Sequence, residues 1–187
     1  MYFNFNSITC SIVALLAFQA AAVSISVNIL TQGASVESST GAVRTYYQAA
    51  NGSIIEIIPN FPATSGYTSS VLIPAGVAKT NTPLAAISWG PFDEIHLYYI
   101  GVGFSNTHLR EKIWKAGVGW ADGGLNSLSY TTQTSTSFLT AYQDGTTVAG
   151  STWRVAFVCS TLNLPVAGSL CEASKTSLLP WTVAAYI

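Results

Sequence analysis

VRTYYQAANGSIIEII, residues 43–58, is the stretch whose reading decides the fold. Two runs of alternating apolar and polar residues flank Ala50-Asn51-Gly52, and period two on both sides of an Asn-Gly turn predicts a β-hairpin. Its charged residues are Arg44 and Glu56, and the turn decides whether they share a face. A two-residue Asn51-Gly52 loop pairs Tyr47 with Glu56 and sends Arg44 to the opposite side. A three-residue loop, a type I turn with Gly52 left-handed, pairs Tyr46 with Glu56 and Arg44 with Ile58. Arg44 and Glu56 are then diagonal neighbours on one face. Any joint action of the two requires this second register.

Weaker copies of the hairpin follow. VRTYYQ from Val43 recurs as IHLYYI from Ile95 and WRVAFV from Trp153, and each next strand carries a glutamate: Glu56, Glu111 and Glu172. Ahead of each hairpin lies another strand-like run, clear at Leu84–Trp89 and Phe138–Gln143 and weaker at Ile25–Leu30. A fourth run starts at an aromatic, Tyr67, Trp120 or Trp181; the two tryptophans stand nine residues after their glutamates. Helical periodicity is almost absent from the rest of the chain. A unit of four strands repeating every roughly 50 to 60 residues predicts an all-β chain of β-propeller type. It has about three four-stranded blades, at 23–78, 79–134 and 135–187. Three blades leave bare faces at both ends, which a second copy, or the rest of a longer chain, must cover.

Only 8% of the 187 residues are charged, against about a quarter in ordinary domains, so Ser, Thr, Asn and Gly must make the surface. That suits a secreted β-protein. The seven Lys and Arg are scattered singly, which excludes the basic track that nucleic acid or an anionic membrane needs. Residues 1–22 read as a signal peptide, with an apolar core from Ile8 to Phe18 and a cleavage site at Ala20-Ala21-Ala22, although no Lys or Arg precedes Ile8. The alternative is a membrane anchor, against which stands a core shorter than the ~20 residues of a span. No other stretch could span a bilayer, so the expected localisation is extracellular. Cys10 would leave with the signal. Cys159 and Cys171 flank the loop of the third hairpin and are read as a disulfide or as two buried thiols.

Catalytic and metal-binding patterns are missing. The three repeated glutamates should be spread over different blades, and Asp93 and Glu94 should point to opposite faces, so no carboxylate pair of the glycosidase kind is evident. There is no G-x-S-x-G, no nucleophile motif beside His96 or His108, and no metal-ligand spacing. His108 reads as structural. The expectation is a protein that is not an enzyme and uses no cofactor or metal. Arg44 and Glu56 are either a surface ion pair or a sugar clamp, in which a planar guanidinium donates to hydroxyl and ring oxygens and a carboxylate accepts from hydroxyls. A clamp also needs a flat apolar wall, which Trp114 and Trp120 can supply if they do not serve only in packing. Asn51-Gly52-Ser53 is a sequon for N-glycosylation on the turn.

These segments, VRTYYQAANGSIIEI and TPLAAISWGPFDEIHLYYIG with LREKIWKAGVGWADGGLNSL, resemble the fungal fucose-specific lectins, six-bladed propellers that bind L-fucose between blades. The resemblance runs from about Asn28 to Trp181 and implies half of such a propeller. It implies a complete first pocket from Arg44 and Glu56 with Trp114 and Trp120, and Ile95 against the sugar methyl group. A second pocket of His96, Glu111, Lys175 and Trp181 is implied to be degraded, because His96 replaces the arginine and Lys175 the stacking aromatic. The third, Arg154 and Glu172, would need Pro59 and Tyr67 of a partner's first blade and is degraded too. The implied partners are fucosylated glycans, with a homo-oligomer completing the ring. The rival readings are a propeller-like domain that acts through protein contacts and a carbohydrate-active enzyme.

Overall fold

The structure, a computed structural model, describes residues 32–60, 66–145, 147–160 and 168–186. The alternation of residues 43–58 becomes strands β2 (Val43–Gln48) and β3 (Ile54–Pro59), antiparallel, with Tyr46 opposite Glu56 and Thr45 opposite Ile57. This is the register of the three-residue loop. Gly52 sits at φ 87°, a left-handed conformation that costs a residue with a Cβ, and its N–H donates to the Ala49 carbonyl at 2.9 Å.

β1 (Ala34–Glu37) and β4 (Tyr67–Ile73) flank the hairpin and complete an antiparallel sheet in chain order. The first strand was expected at Ile25–Leu30, which lies outside the described residues. Ala34–Glu37 takes that place beside β2, because Val36, opposite Arg44, puts an apolar side chain into the core and a tight turn from Ser38 to Ala42 suffices to connect the strands.

The second sheet is β5 (Leu84–Trp89), β6 (Glu94–Val102), β7 (Thr107–Lys115) and β8 (Gly119–Asp122), with the short β9 (Thr131–Thr132) on β7. A 3-10 turn, Gly124–Leu128, packs on β7. The third sheet is β10 (Leu139–Gln143), β11 (Thr152–Val158), β12 (Leu170–Thr176) and β13 (Thr182–Ala185). Cys159 and Cys171 are joined in a disulfide, with Cα atoms 5.8 Å apart.

The three sheets are consecutive blades of a β-propeller. β6 explains how they stack, since every residue from Ile95 to Gly101 is buried. Ile95, Leu97 and Tyr99 meet Val36, Tyr46, Ile54 and Ile73 of the first sheet. Tyr98 and Ile100, on the opposite face, meet Trp153, Val155, Phe157 and Trp181 of the third. A strand covered on both faces loses the polar half of its alternation, hence the run IHLYYI. Among the described residues nothing covers the outer faces of the first and third sheets: Val71 is 62% exposed and Tyr142 46%.

Candidate functional site

Between the first and second sheets four of the expected residues converge. Arg44, near the start of β2, reaches diagonally to Glu56 on β3, Nη1 to Oε1 at 3.1 Å. The tight hairpin at β7–β8 pairs Trp114 with Trp120 across the strands, so both indoles face the first sheet. Trp120 Nε1–H donates to Glu56 Oε2 at 3.3 Å, and the Tyr46 hydroxyl donates to Oε1 at 3.4 Å. Burial, reinforced by the charge of Glu56, pushes the Tyr46 phenol far above its ordinary range, so it remains a donor. Glu56 therefore gathers three donors in a site where its side chain is 5% and that of Arg44 12% exposed. The guanidinium lies 4.2 Å from the Trp114 ring centroid and 5.2 Å from that of Phe92, a cation–π pair on each.

Two expectations change here. Trp114, expected as a sugar wall or as packing between blades, holds Arg44 on one of its faces. Ile95 was implied to touch the sugar methyl group; it is fully buried, directly opposite Trp114 on the neighbouring strand, so it backs the wall and offers no surface. Tyr46 and Phe92 were not foreseen. Tyr46 is two residues beyond Arg44 on the same strand face, a signal that alternation carries. Phe92 belongs to the turn from β5 to β6 at φ 63°, a strained conformation for a bulky side chain that costs on the order of 1–3 kcal/mol. Nothing in the sequence announces it.

The sequence model of the family described as fungal fucose-specific lectin matches residues 27–157, well over half the chain. The chain belongs to this family. No curated protein matches it significantly. Among solved structures, the six-bladed β-propeller lectin of Aleuria aurantia, described with a novel fucose recognition mode, aligns at 26% identity and a TM-score of 0.65 over 87% of this chain and 51% of its own. A variant of the same lectin in complex with Fucα1-6GlcNAc aligns at 24% identity and a TM-score of 0.66, covering 87% and 50%. A variant of AofleA from Arthrobotrys oligospora gives 24%, 0.67, 87% and 43%. The chain spans about half the length of these solved lectins.

The other two clefts of this fungal-lectin chain share the register of the first. Tyr98 faces Glu111 and Ala156 faces Glu172 as Tyr46 faces Glu56, which places His96 and Arg154 in the position of Arg44. In the second cleft His96 Nδ1 is 2.7 Å from Glu111 Oε1 and Nε2 is 3.0 Å from Glu94 Oε1, with histidine and Glu111 side chains each 1% exposed. Burial alone would lower the His96 pKa; the two carboxylates outweigh it and raise it. Glu94 is raised by burial, but His96 and Lys115 turn the net shift downward. Glu111 Oε2 also accepts from the Leu125 N–H at 3.2 Å, so the 3-10 turn closes over this carboxylate. Glu94 and Glu111, carboxylates of neighbouring strands, thus share one histidine.

Trp153 fills what remains of this cleft. It occupies on β11 the position that Ile95 holds on β6, and its indole lies 5.4 Å from His96, 5.4 Å from Trp89 and 6.4 Å from Trp181, centroid to centroid. Lys175, opposite Trp153, places its ammonium 5.4 Å over the Trp153 ring. In the third cleft Arg154 Nη1 meets Glu172 Oε1 at 2.7 Å; the Tyr142 hydroxyl donates to Glu172 Oε2 at 3.3 Å and Tyr186 donates to the same oxygen. Arg154 is 40% exposed, because no described sheet lies beyond it. Pro59 and Tyr67 pair across β3 and β4 as Trp114 and Trp120 pair across β7 and β8, so they stand in the corresponding places on the opposite end of the stack.

The Asn51 side chain is turned to Ser53, whose N–H and hydroxyl donate to its Oδ1 at 3.0 and 2.7 Å. His108 Nδ1 lies 3.2 Å from the Ser129 carbonyl, away from both clefts. Among the described residues no helix is long and apolar enough to cross a membrane, and no group of three His, Cys, Asp or Glu is placed to hold a metal ion.

Proposed function

We propose that this chain is a secreted lectin that binds L-fucose at the end of glycans in the cleft between its first and second blades. Arg44 donates to ring or hydroxyl oxygens, Glu56 accepts from hydroxyls, and Trp114 and Trp120 limit the cleft with apolar surface. The observation that carries the reading is the convergence on Glu56 of Arg44, Tyr46 and Trp120: the acceptor is fixed from three sides before any sugar arrives. Binding would involve no covalent step. Secretion is supported by the disulfide, which belongs to an oxidising compartment, and by the low charge of the chain. The signal peptide at 1–22 and a glycan on Asn51 belong to the same reading.

Two copies would complete a six-bladed ring, each laying its first blade on the third blade of the other. The two end faces that no described residue covers support this. Tyr67 and Pro59 of one copy would then face Arg154 and Glu172 of the other. Sedimentation should give twice the chain mass; a monomer at micromolar concentration would refute the ring.

Titration of the purified protein with L-fucose, followed by tryptophan fluorescence, tests the site. Saturable binding that disappears in an Arg44→Ala/Glu56→Ala variant is expected. A folded wild type that ignores millimolar fucose would refute the fucose reading and leave a role in protein contacts.

A further inference from the structure

A second polar cleft lies on the second blade, away from Glu56. Val77, Tyr99, Val102, Arg110, Asp122 and Asn126 line it. Val77 belongs to the connection between the first two blades and is fixed there by backbone bonds, its carbonyl accepting from the Val102 N–H at 2.9 Å. Arg110 lies on β7 directly opposite Tyr99 on β6. Its stem crosses Gly101, where an added Cβ would come within 2.6 Å of the arginine Cγ. Held down this way, it donates from Nη1 to the Asn126 carbonyl at 2.8 Å. Among the described residues no carboxylate is within ion-pair distance of Arg110, so most of its five donors are available.

Tyr99 is the second, independent observation. It is 3% exposed, yet among the described residues nothing hydrogen-bonds to its hydroxyl, and it lines the cleft. Burial first and then the charge of Asp122, opposed by Arg110, push its pKa up to about 12, which keeps it a donor at neutral pH. Asp122 is paired with Lys112 at 2.8 Å, but its side chain is 69% exposed, so it can still accept. Val77 and Val102, 45% and 53% exposed, form an apolar edge. Guanidinium, carboxylate, phenol and an apolar edge are the groups that receive the hydroxyls and C–H face of a sugar ring, and the near balance of charge favours a neutral one.

The cleft is also aligned with the first site. Arg110, Lys112 and Trp114 alternate onto one face of β7, which puts Arg110 and Trp114 ~13 Å apart along the strand. We propose that the Tyr99–Arg110–Asp122 cleft is a second saccharide subsite, which holds an inner, neutral hexopyranose residue of a glycan whose terminal fucose occupies the Arg44–Glu56 site. This proposal rests on the fucose reading, because the glycan is positioned from that end.

Calorimetric titration of the wild type, Arg110→Ala and Tyr99→Phe, each with L-fucose and with the fucose-terminated pentasaccharide lacto-N-fucopentaose I, tests it. The wild type should bind the pentasaccharide about tenfold more tightly than fucose, the worth of one or two added polar contacts. That ratio should fall towards one in Arg110→Ala and part of the way in Tyr99→Phe, with fucose affinity unchanged in both. Tyr99→Phe removes a hydroxyl with no hydrogen-bond partner among the described residues, so its melting temperature should stay at the wild-type value and it decides the matter if Arg110→Ala is unstable. Fucose binding with a ratio near one in the wild type, or an unchanged ratio in both variants, overturns the subsite alone. Binding of neither sugar by the wild type overturns the fucose reading and the subsite with it.

Discussion

His96→Leu is the perturbation that most directly tests the closed second cleft. The histidine is 1% exposed and joins Glu111, equally buried, to Glu94, whose side chain is 12% exposed. Leucine fills much of the space between Trp89 and Trp153 but leaves Glu111 with only the Leu125 N–H and the Tyr98 hydroxyl. Removing one partner of a buried pair costs about 3–5 kcal/mol, since the remaining charge is still out of water. For a chain of this size that corresponds to a fall of roughly 10 °C in melting temperature.

The pH dependence gives the sharper signature. The folded-state pKa of His96 is raised, so its contribution is complete below about 6.5, the unfolded value, and is lost as pH rises through the folded value. Glu94 has the opposite sign: its folded pKa is lowered, so its contribution is present above 4.5 and is lost as pH falls through the folded value. The two windows lie on different sides of pH 5. Urea unfolding followed by tryptophan fluorescence from about pH 5 to pH 9 should therefore show the wild type losing stability toward alkaline pH and His96→Leu lacking that decline. A variant that is within about 1 kcal/mol of the wild type and keeps its pH profile would refute the charged Glu–His–Glu bridge.

Two further substitutions probe the frame. Gly123→Ala would set a Cβ 2.1 Å from Glu111 Oε2, although its φ of −83° suits any residue, so a purely steric loss of about 1–3 kcal/mol is expected. Gly124→Ala, with nothing within 4 Å, should change stability by less than about 0.5 kcal/mol, and calorimetric melting compares the two. Cys171→Ser opens the bridge between residues 12 apart and should cost about 3 kcal/mol in chemical denaturation, matched by adding a reductant to the wild type.

Residues 43–58 were legible as a hairpin because two period-two runs flank an Asn-Gly turn; the turn residues allow two registers, of which the structure takes that of the three-residue loop. In β6 the same period is hidden by burial on both faces, and only its kinship with VRTYYQ gives the strand away. Arg44 and Glu56 could be brought together from register alone, and the nine-residue step from glutamate to tryptophan located Trp120. Contacts made across blades were not legible. Glu94 sits beside Asp93 in sequence, but the strand period puts it on the same face as His96, two residues on. Trp153 stands plainly where Ile95 stands in the preceding repeat, yet that an indole there fills the cleft depends on the spacing between sheets.

That exchange accounts for the different fates of the clefts. All three keep a glutamate in one register, but the facing position decides what meets it. Ile95, short and branched, ends beneath Trp114 and leaves Glu56 accessible to donors from both blades. Trp153 reaches across, packs on Trp89, His96 and Trp181, and turns an equivalent cleft into core. At the third, the facing surface is missing from the described sheets and the Arg154–Glu172 pair is left at the edge. In the proposed reading a chain with one complete set of site residues has only the affinity of that site, so tight capture of a glycan-covered surface requires a second one at high effective concentration. Pairing of two chains end to end, as proposed, would supply it without any new sugar contact. Removing the exposed end face, for example by Tyr67→Lys, should then lower avidity for a fucosylated surface while leaving the affinity for free fucose as it was.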